Sequence, residues 1–458
     1  MTNKSTLLSP NMVTIEITNK CNLKCRYCFE TAKNKKSMTF EQLKAACDLV
    51  WEKRNKNSTL CISFFGGEPS LEWPNIRKIV DYNNEQGRII EYNMTTNFTY
   101  PFTDDDLEWI ANENFGFLVS IDGNKKTHDY NRCNSYDKVK ENIIKFKNKQ
   151  ILPKVEARMT ITPDRAKYLC EDVKSIYDLG ISYVCPIPVT DMEWTDKEIK
   201  ILKKQFRKTT DFVIKLFSKK DGHNFDVKYL NDQLAIPPFK YTENKEPLFT
   251  KCGIFQGYNL VIDPDDKVYM CHKLPTTKLS SKIKKMFYYG TLEDFKNDKL
   301  FRKDELIKDF IGYKPLDKRN ECETCKAFGR CTGPCPIEAL QLYDDMRAMN
   351  KINCAFNIIC REEGDYFLSK IKKLKYIKSR GLQRILISNE LLKLVNKLLL
   401  TPVEDSSYTV KLNKIKSHME VYKDLLLPSY TEQVINLLKQ MKNSIGEIKK
   451  CLQQKTQK

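Results

Sequence analysis

The sequence contains no apolar run long enough to span a bilayer. Its most hydrophobic stretch, residues 391–400, is interrupted by Lys393 and Lys397 and falls well short of the roughly 20 apolar residues that a transmembrane helix needs. The first residues carry neither an apolar core nor a small-residue cleavage site, so they do not form a secretory signal. We therefore predict a cytoplasmic protein that has no membrane partner.

Signatures of nucleic-acid binding are also missing, since no zinc-finger, RRM or helix-turn-helix pattern occurs. The net charge of +19 would permit a polyanionic partner, but the lysines are spread through the whole chain. We predict no nucleic-acid partner. About half of the excess positive charge lies in residues 361–458, which hold 20 Lys plus Arg against 10 Asp plus Glu. The Leu/Lys-rich region 366–458 predicts amphipathic helices that serve either as a solvated cap or as a docking surface for an acidic partner.

The chain of 458 residues is too long for one ordinary core, and 41% hydrophobic with 30% charged residues is typical of folded proteins. Its pattern changes twice along its length, which predicts three domains. Strand-like and helix-like segments alternate in residues 1–220, cysteines and turns are concentrated in 221–365, and 366–458 is a basic helical extension.

The first two hundred residues predict an α/β fold. Segments rich in β-branched and aromatic residues occur at 13–18, 60–65, 89–95, 115–121, 155–162 and 182–189. Helical patterns separate them, and the helix predicted from residue 40 opens with Thr39 and Gln42 as a capping box. Such repeats imply a parallel sheet, either open or curled into a partial barrel, whose functional residues gather at the carboxyl ends of the strands.

The 17 cysteines favour metal sites over disulfides, because a reducing compartment keeps thiols reduced. They form two tight groups, one at residues 21–28 and one at 322–335. The remaining cysteines are more typical of small buried apolar residues, among them Cys47, Cys61, Cys133, Cys170, Cys185 and Cys451.

The first group, Cys21, Cys25 and Cys28, follows the first predicted strand. Three thiolates would leave one iron of a [4Fe–4S] cluster open, whereas zinc normally takes four ligands and no fourth Cys or His lies nearby. With Tyr27 before its last cysteine, the triplet resembles the signature of the radical SAM superfamily. The resemblance implies that SAM binds the open iron, and that an electron from the reduced cluster then generates a 5′-deoxyadenosyl radical.

Further segments at strand ends are similar to those that hold SAM in this superfamily. Gly66-Gly67-Glu68-Pro69 follows the second strand, and two glycines allow close backbone approach. His128 and Arg132 trail the fourth strand. The resemblance implies a SAM site formed by Tyr27, Gly66, Gly67, Glu68, Pro69, Thr96, Asn97, Ser120, Asp122 and Arg158.

The second cysteine group resembles the SPASM extension of peptide- and protein-modifying radical SAM enzymes, although a zinc site is the alternative for four closely spaced cysteines. Asp266 stands where that extension usually has a glycine. The resemblance implies a partial (β/α)6 barrel of the TIM type followed by two auxiliary [4Fe–4S] clusters. The predicted ligands are Cys322, Cys325, Cys331 and Cys354 for one cluster and Cys252, Cys271 and Cys335 for the other.

No cysteine lies between Cys252 and Cys271, so the inner auxiliary cluster lacks a fourth ligand. Either Cys360 supplies it, or the open iron binds a substrate thiolate, as proposed for thioether-forming relatives. His272 stands where sulfatase-maturating relatives commonly have an Asp. His272, Tyr258 and Asp263 are candidates for a general base, although a hydrogen-bonding role beside the cluster is the alternative.

Three functions remain open. We predict a peptide maturase of the sactipeptide or ranthipeptide type, which forms a Cys-derived thioether in a ribosomal precursor peptide. The alternatives are an anaerobic sulfatase-maturating enzyme, which makes formylglycine, and a non-catalytic electron carrier. A flavodoxin or ferredoxin would be the electron donor. Because the first predicted strand begins at Val13 with no leader-binding domain before it, we expect the basic tail or a separate protein to recruit the precursor.

Overall fold

The computed structural model describes residues 7–31, 35–218, 225–235, 252, 254, 259–303, 305–306, 325–327, 331, 333, 335–346, 348–371 and 415. The chain divides into two compact units. The larger unit comprises Met1–Thr209 and Lys240–Ile359, and the smaller comprises Thr210–Phe239 and Cys360–Lys458. The three domains at 1–220, 221–365 and 366–458 stay predictions.

Six parallel strands form the centre of the larger unit, each hydrogen-bonded to the next in chain order. They are β1 Met12–Thr18, β2 Leu60–Gly66, β3 Ile90–Thr96, β4 Phe115–Ser120, β5 Val155–Ile161 and β6 Tyr183–Pro188. All six were predicted from the sequence to within one or two residues at each end. The α/β fold class with a parallel sheet of the partial-barrel type is therefore confirmed.

Helices carry the crossovers between these strands, as parallel pairing requires. They are α1 Phe40–Lys53, α2 Trp73–Glu85, α3 Asp104–Asn112, α4 Lys125–Asn131, α5 Tyr136–Asn148 and α6 Leu169–Asp178. Helix α1 begins as predicted, because the Thr39 side chain accepts a bond from the Gln42 N–H and the Gln42 side chain bonds back to Thr39. Short 3-10 turns at Pro69–Glu72, Leu152–Lys154 and Pro163–Tyr168 complete the connections.

Side chains alternate between the two faces of the sheet. On β4, Phe115, Phe117 and Val119 are buried, and the residues that alternate with them, Gly116, Leu118 and Ser120, are half-buried. Phe115 makes edge-to-face contact with Trp73 of α2 at 5.6 Å between ring centroids, so the buried set faces the helices. The half-buried set, which includes Ser120, faces the opposite side of the sheet.

One long helix and one short helix contribute to the smaller unit. Helix α7 spans Asp196–Ser218, and the chain continues through the two-residue strand β7 Asp226–Val227 into α8 Lys228–Ala235. Among the described helices, none has the length and apolar character needed to cross a membrane. Most of the predicted helical extension, beyond Ile371, lies outside the described residues.

The segment after residue 258 adds three strands to the larger unit. Strand β8 Asn259–Ile262 pairs in parallel with β1, and β9 Lys267–Tyr269 with β10 Tyr288–Thr291 continues the sheet in antiparallel fashion. The turn before β9 places Asp266 at a φ of 58°, the left-handed conformation that glycine adopts most easily. This explains how Asp266 can replace the usual glycine, since Asp tolerates that region better than most residues.

Further described helices follow β9 along the chain. They are α9 Lys273–Thr276, α10 Ser281–Met286, α11 Leu292–Lys296, α12 Pro336–Tyr343 and α13 Lys351–Ile371.

Candidate functional site

The cysteine triplet lies in the loop that follows β1. Cys21, Cys25 and Cys28 are half-buried, and the Cys28 N–H donates to the Cys25 carbonyl at 3.2 Å. Burial, with the neighbouring Cys28, Asp122 and Cys21, raises the pKa of the Cys25 thiol to about 11, although the charge of Arg132 opposes this shift. Such thiols ionise when a bound cation compensates the charge, as metal binding does.

The donor set suits a cluster better than a single ion. Within the described ranges, no three Cys, His, Asp or Glu side chains lie close enough to hold one metal ion. In a [4Fe–4S] cluster each thiolate binds a different iron, so the ligands need not converge on one point. Three thiols on one short loop therefore fit the cluster that the sequence suggests.

A buried network links the triplet to the end of β4. The Tyr27 hydroxyl donates to Asp122 Oδ2 at 2.5 Å, and Arg132 Nε donates to the same oxygen at 3.0 Å. The other carboxylate oxygen, Oδ1, accepts the Thr160 N–H at 3.0 Å. Arg132 Nη1 lies 3.9 Å from Cys25 Sγ. The Asp122 carboxylate is thus engaged by protein groups, and its predicted contact with SAM stays a prediction.

His128 supports this network from behind. The Asp122 N–H points at His128 Nδ1 at 3.4 Å, and His128 Nε2 lies 2.9 Å from Ser135 Oγ. Because Ser135 Oγ donates its one proton to the Arg132 carbonyl at 2.7 Å, Nε2 must be the protonated nitrogen. Burial lowers the pKa of His128 to about 4, which is consistent with a neutral ring whose Nδ1 accepts. The sequence placed His128 and Arg132 near the site but not in this arrangement.

The two glycines after β2 make room for the chain's own backbone. Gly66 has a φ of +125°, and a Cβ there would lie 2.0 Å from the Thr18 carbonyl oxygen. A Cβ at Gly67 would lie 2.3 Å from the Lys20 carbonyl oxygen. The close approach in the structure is therefore to the segment that leads into the cysteine triplet, which fixes the two loops against each other.

Glu68 ties the ends of β2 and β3 together. Its buried carboxylate accepts bonds from the Thr96 hydroxyl and the Asn97 N–H, both at 2.6 Å, and from the Ser70 N–H at 3.0 Å. The Asn97 side chain in turn donates to Asn22 Oδ1 in the triplet loop at 2.8 Å. The structure thus brings the predicted residues of strands β2 and β3 together beside the triplet, with Pro69 opening the 3-10 turn.

Ser120 and Arg158 lie on the inner face of the sheet. They are partners in the β4–β5 register, and both are half-buried. Arg158 Nη1 lies 3.4 Å from the Cys185 carbonyl oxygen and 3.8 Å from its sulfur. Their predicted contacts with SAM stay predictions.

Three of the predicted auxiliary ligands share one environment. Cys252, Cys271 and Cys335 pack against an apolar cluster that includes Met270, Leu274, Phe287 and Leu340. Burial raises the pKa of the Cys271 thiol to about 12, and it raises the pKa of Cys335 as well, each with a contribution from neighbouring groups. Lys273 pairs with Glu338 beside them.

The other predicted cluster is only partly covered by the structure. Cys325 is half-buried, and Cys331 and Cys354 are exposed. Cys322 and the candidate base Tyr258 lie outside the described residues. Cys360 is buried and belongs to the smaller unit. The two auxiliary clusters therefore stay predictions.

His272 connects the auxiliary region with the end of β2. Its ring centroid lies 4.9 Å from that of Phe65 and 6.0 Å from that of Phe29. Burial, together with the positive charges of Lys273 and Arg158, lowers the pKa of His272 to about 4. Asp263 instead stabilises the turn before β9, because one of its carboxylate oxygens accepts hydrogen bonds from the Asp265 and Lys267 N–H groups at 2.9 and 3.0 Å.

One family model matches the N-terminal part of the chain. Residues 15–171 match the profile of the Radical SAM superfamily. An uncharacterised protein of Methanocaldococcus jannaschii is 38% identical over 111 residues, which cover 24% of this chain and only 37% of that relative's length. The radical SAM cyclopropyl synthase TigE of Paramaledivibacter caminithermalis is 25% identical over 373 residues, covering 75% of this chain and 71% of TigE.

A cysteine-type anaerobic sulfatase-maturating enzyme of Clostridium novyi is 25% identical over 395 residues, covering 81% of this chain and 97% of the relative. Among solved structures, anSMEcpe with bound AdoMet superposes with a TM-score of 0.62 at 20% identity, covering 81% of this chain and 97% of that one. SuiB of Streptococcus suis bound to the precursor peptide SuiA gives 0.52 at 14% identity, covering 76% of each chain. These two likenesses confirm the fold.

Proposed function

Because residues 15–171 belong to the radical SAM superfamily, whose enzymes use a [4Fe–4S] cluster and SAM, we propose that this enzyme forms a Cys-derived thioether in a precursor peptide. The observation that carries the proposal is the grouping of Cys252, Cys271 and Cys335 around one apolar cluster. No fourth cysteine packs there among the residues that the structure describes. A cluster held by three thiolates would keep one iron for a substrate thiolate.

The proposed cofactor ligands follow from the residues in place. Cys21, Cys25 and Cys28 would hold the SAM-binding cluster, and the loops fixed by Gly66, Gly67 and Glu68 would hold SAM. When bound, these groups supply a 5′-deoxyadenosyl radical that takes a hydrogen atom from the substrate. The second auxiliary cluster would use Cys322, Cys325, Cys331 and Cys354.

The protein's own contribution is position and shielding. His272, Phe65 and Phe29 form a contiguous set of rings that connects the Cys271 segment with the glycine pair after β2. His272 is uncharged at neutral pH, because its pKa is held near 4. These rings would exclude water from the space between the two cofactor regions, which protects a radical from side reactions.

An anaerobic sulfatase-maturating activity is the second candidate. The coverage of 97% of the Clostridium novyi enzyme favours it. The residue after Cys271 speaks against it, since His272 stands where such enzymes commonly have an Asp.

The test uses anaerobically purified, cluster-loaded enzyme with SAM, dithionite and two substrates in parallel. One is a cysteine-containing peptide encoded beside the enzyme's gene, and the other is a sulfatase-derived cysteine peptide. We expect 5′-deoxyadenosine together with a precursor that has lost two hydrogens and its free thiol. An aldehyde on the sulfatase peptide, with an unchanged precursor, would establish the second candidate instead.

The variant Cys271→Ala distinguishes, in the same assay, the contribution of the auxiliary cluster region from that of the SAM-binding cluster region. We expect its iron content to fall by about four ions per chain, the content of one cluster, while SAM cleavage continues. Thioether formation should stop, because the substrate sulfur would lose its iron. Product formation at the rate of the unaltered enzyme would contradict a role for this site.

A further inference from the structure

The loop that carries the N-terminal thiols also presents a positive charge to solvent. Arg26, between Cys25 and Tyr27, is exposed, and its guanidinium lies 4.1 Å from the centroid of the Tyr130 ring. Arg165 lies 3.7 Å from the centroid of the same ring. Tyr130 itself is 44% exposed. An exposed tyrosine thus holds two arginines together beside the triplet.

The same arrangement repeats around Tyr168. Arg165, Lys167 and Lys126 lie 5.7, 5.0 and 5.9 Å from the centroid of its ring. Lys126 and Lys167 are exposed. Cation–π contacts stabilise positive groups that would otherwise repel one another. We call this surface the Arg/Tyr patch, and it comprises Arg26, Lys126, Tyr130, Arg165, Lys167 and Tyr168.

The patch is strongly positive. Four cationic side chains belong to it, and Asp164 is paired with one of them, Arg26, at 3.2 Å. Asp164 offsets the charge of Arg26, so the charges of Lys126, Arg165 and Lys167 remain and give the patch a positive field. A cluster of like charges attracts a partner of opposite sign and speeds its association.

The patch is also connected directly to the loop of the thiols. The Arg26 N–H donates to the Asn131 carbonyl at 3.0 Å, at the end of α4. Two residues before Arg26, the Lys24 carbonyl accepts the Cys133 thiol at 3.1 Å. The outer side of these contacts is the Arg/Tyr patch, and the inner side is the Arg132 guanidinium near Cys25 Sγ. A partner seated on the patch would therefore lie beside the loop that carries the thiols.

We propose that the Arg/Tyr patch is the docking surface for an acidic one-electron donor of the flavodoxin class. This inference rests on the proposed function, because it requires that the triplet hold a reducible cluster. The reaction is a simple transfer: the hydroquinone flavin of the donor loses one electron and becomes the semiquinone, and the oxidised [4Fe–4S] cluster gains that electron. The donor then dissociates and the cluster passes the electron to SAM.

The test compares two double variants with equal changes of charge. Lys126→Glu/Lys167→Glu alters the patch without touching the triplet or Arg132. Lys56→Glu/Lys147→Glu changes two exposed lysines that lie near the starts of strands β2 and β5, away from the carboxyl ends where the triplet lies. Both variants are checked for iron content. The readout is the bleaching of the cluster's absorbance after mixing with a reduced, negatively charged flavodoxin.

We expect the patch variant to slow reduction by flavodoxin at least about tenfold at low ionic strength, a difference that salt should narrow. The control variant should match the unaltered enzyme. Reduction by dithionite should be the same in all three, since a small reductant needs no docking surface. Normal dithionite-driven thioether formation by the patch variant would show that the proposed function stands even where the docking proposal fails.

Four results would overturn the proposal. The first is a patch variant that flavodoxin reduces as fast as the unaltered enzyme, and the second is a control variant that is slowed equally. The third is loss of affinity for the precursor peptide in the patch variant with unchanged reduction, which would make the patch a substrate site. An enzyme that flavodoxin cannot reduce at all would also refute it.

Discussion

Arg132 and Asp122 form a buried ion pair directly behind the loop of the N-terminal thiols. Arg132 Nε lies 3.0 Å from Asp122 Oδ2, and the side chains are only 7% and 0% exposed. Both charged groups are removed from water, so each is stabilised in the folded protein mainly by the opposite charge of the other. The pair also orients the Arg132 guanidinium toward Cys25.

Removal of the negative partner should be costly. In Asp122→Asn the Arg132 guanidinium loses its counter-charge, and we expect the free energy of unfolding to fall by about 3–5 kcal/mol. Urea unfolding of the cluster-free protein would measure this. Asp129→Asn is a matched control, because its partner Lys125 is half-exposed and surface pairs contribute at most about 1 kcal/mol. Equal losses in both variants would contradict the buried-pair interpretation.

The charge of Arg132 should also affect the cluster. A cation 3.9 Å from Cys25 Sγ stabilises the reduced, more negative state, so Arg132→Met should lower the midpoint potential. The double variant Asp122→Asn/Arg132→Met should recover part of the lost stability, because neither charge is then left alone, but its potential should remain low. A redox titration followed by electron paramagnetic resonance gives the readout. A potential that does not move would show that Arg132 acts through packing alone.

Gly66 offers a test of the loop contacts. In Gly66→Ala the new Cβ would collide with the Thr18 carbonyl at 2.0 Å, so we expect the loops to separate and SAM affinity to fall at least about tenfold, which corresponds to 1.4 kcal/mol. Gly87→Ala is the control: its φ of +66° is also left-handed, but nothing lies within 4 Å of its Cβ. It should cost about 1–2 kcal/mol of stability and leave SAM affinity unchanged. Isothermal titration with SAM would distinguish them.

Glu16 on β1 should make stability depend on pH. Its carboxylate is 0% exposed and has no hydrogen-bond partner within the described part of the chain. Burial, together with Glu30 and Asp263, holds its pKa well above the usual value of 4.5, although Lys284 opposes this shift. The folded state therefore keeps a proton that the unfolded chain releases, and the contribution to stability is complete below pH 4.5 and is lost as the pH rises.

The variant Glu16→Gln removes that dependence, since an amide does not ionise. We expect its melting temperature, relative to that of the unaltered protein, to be higher at pH 8 than at pH 5. Glu91→Gln, at an exposed position of β3, should show no such trend. A difference between Glu16→Gln and the unaltered protein that is constant across this range would contradict the burial argument.

The strands and caps could be predicted from the sequence because their signals are local. Runs of β-branched and aromatic residues identify the six central strands, and the capping box of Thr39 and Gln42 spans only four residues. The contacts of Arg132 with Cys25 and of Glu68 with Asn97 join residues 107 and 29 positions apart. Side-chain direction decides such contacts, and no short motif encodes it. The glycine pair illustrates the limit: the sequence indicated a close approach, but not that the approaching group was residues 18–20.

The pairing of β8 with β1 has a consequence for how the enzyme can be divided. Met12–Ile15 hydrogen-bonds to β2 on one side and to Asn259–Ile262 on the other. A fragment that ends at residue 220 would leave one edge of β1 without a hydrogen-bonded neighbour, and exposed edge strands promote aggregation. The strand that leads into the cysteine triplet is thus paired with a segment nearly 250 residues downstream. The triplet and the later cysteines therefore belong to one continuous sheet and cannot be expressed as two independent fragments.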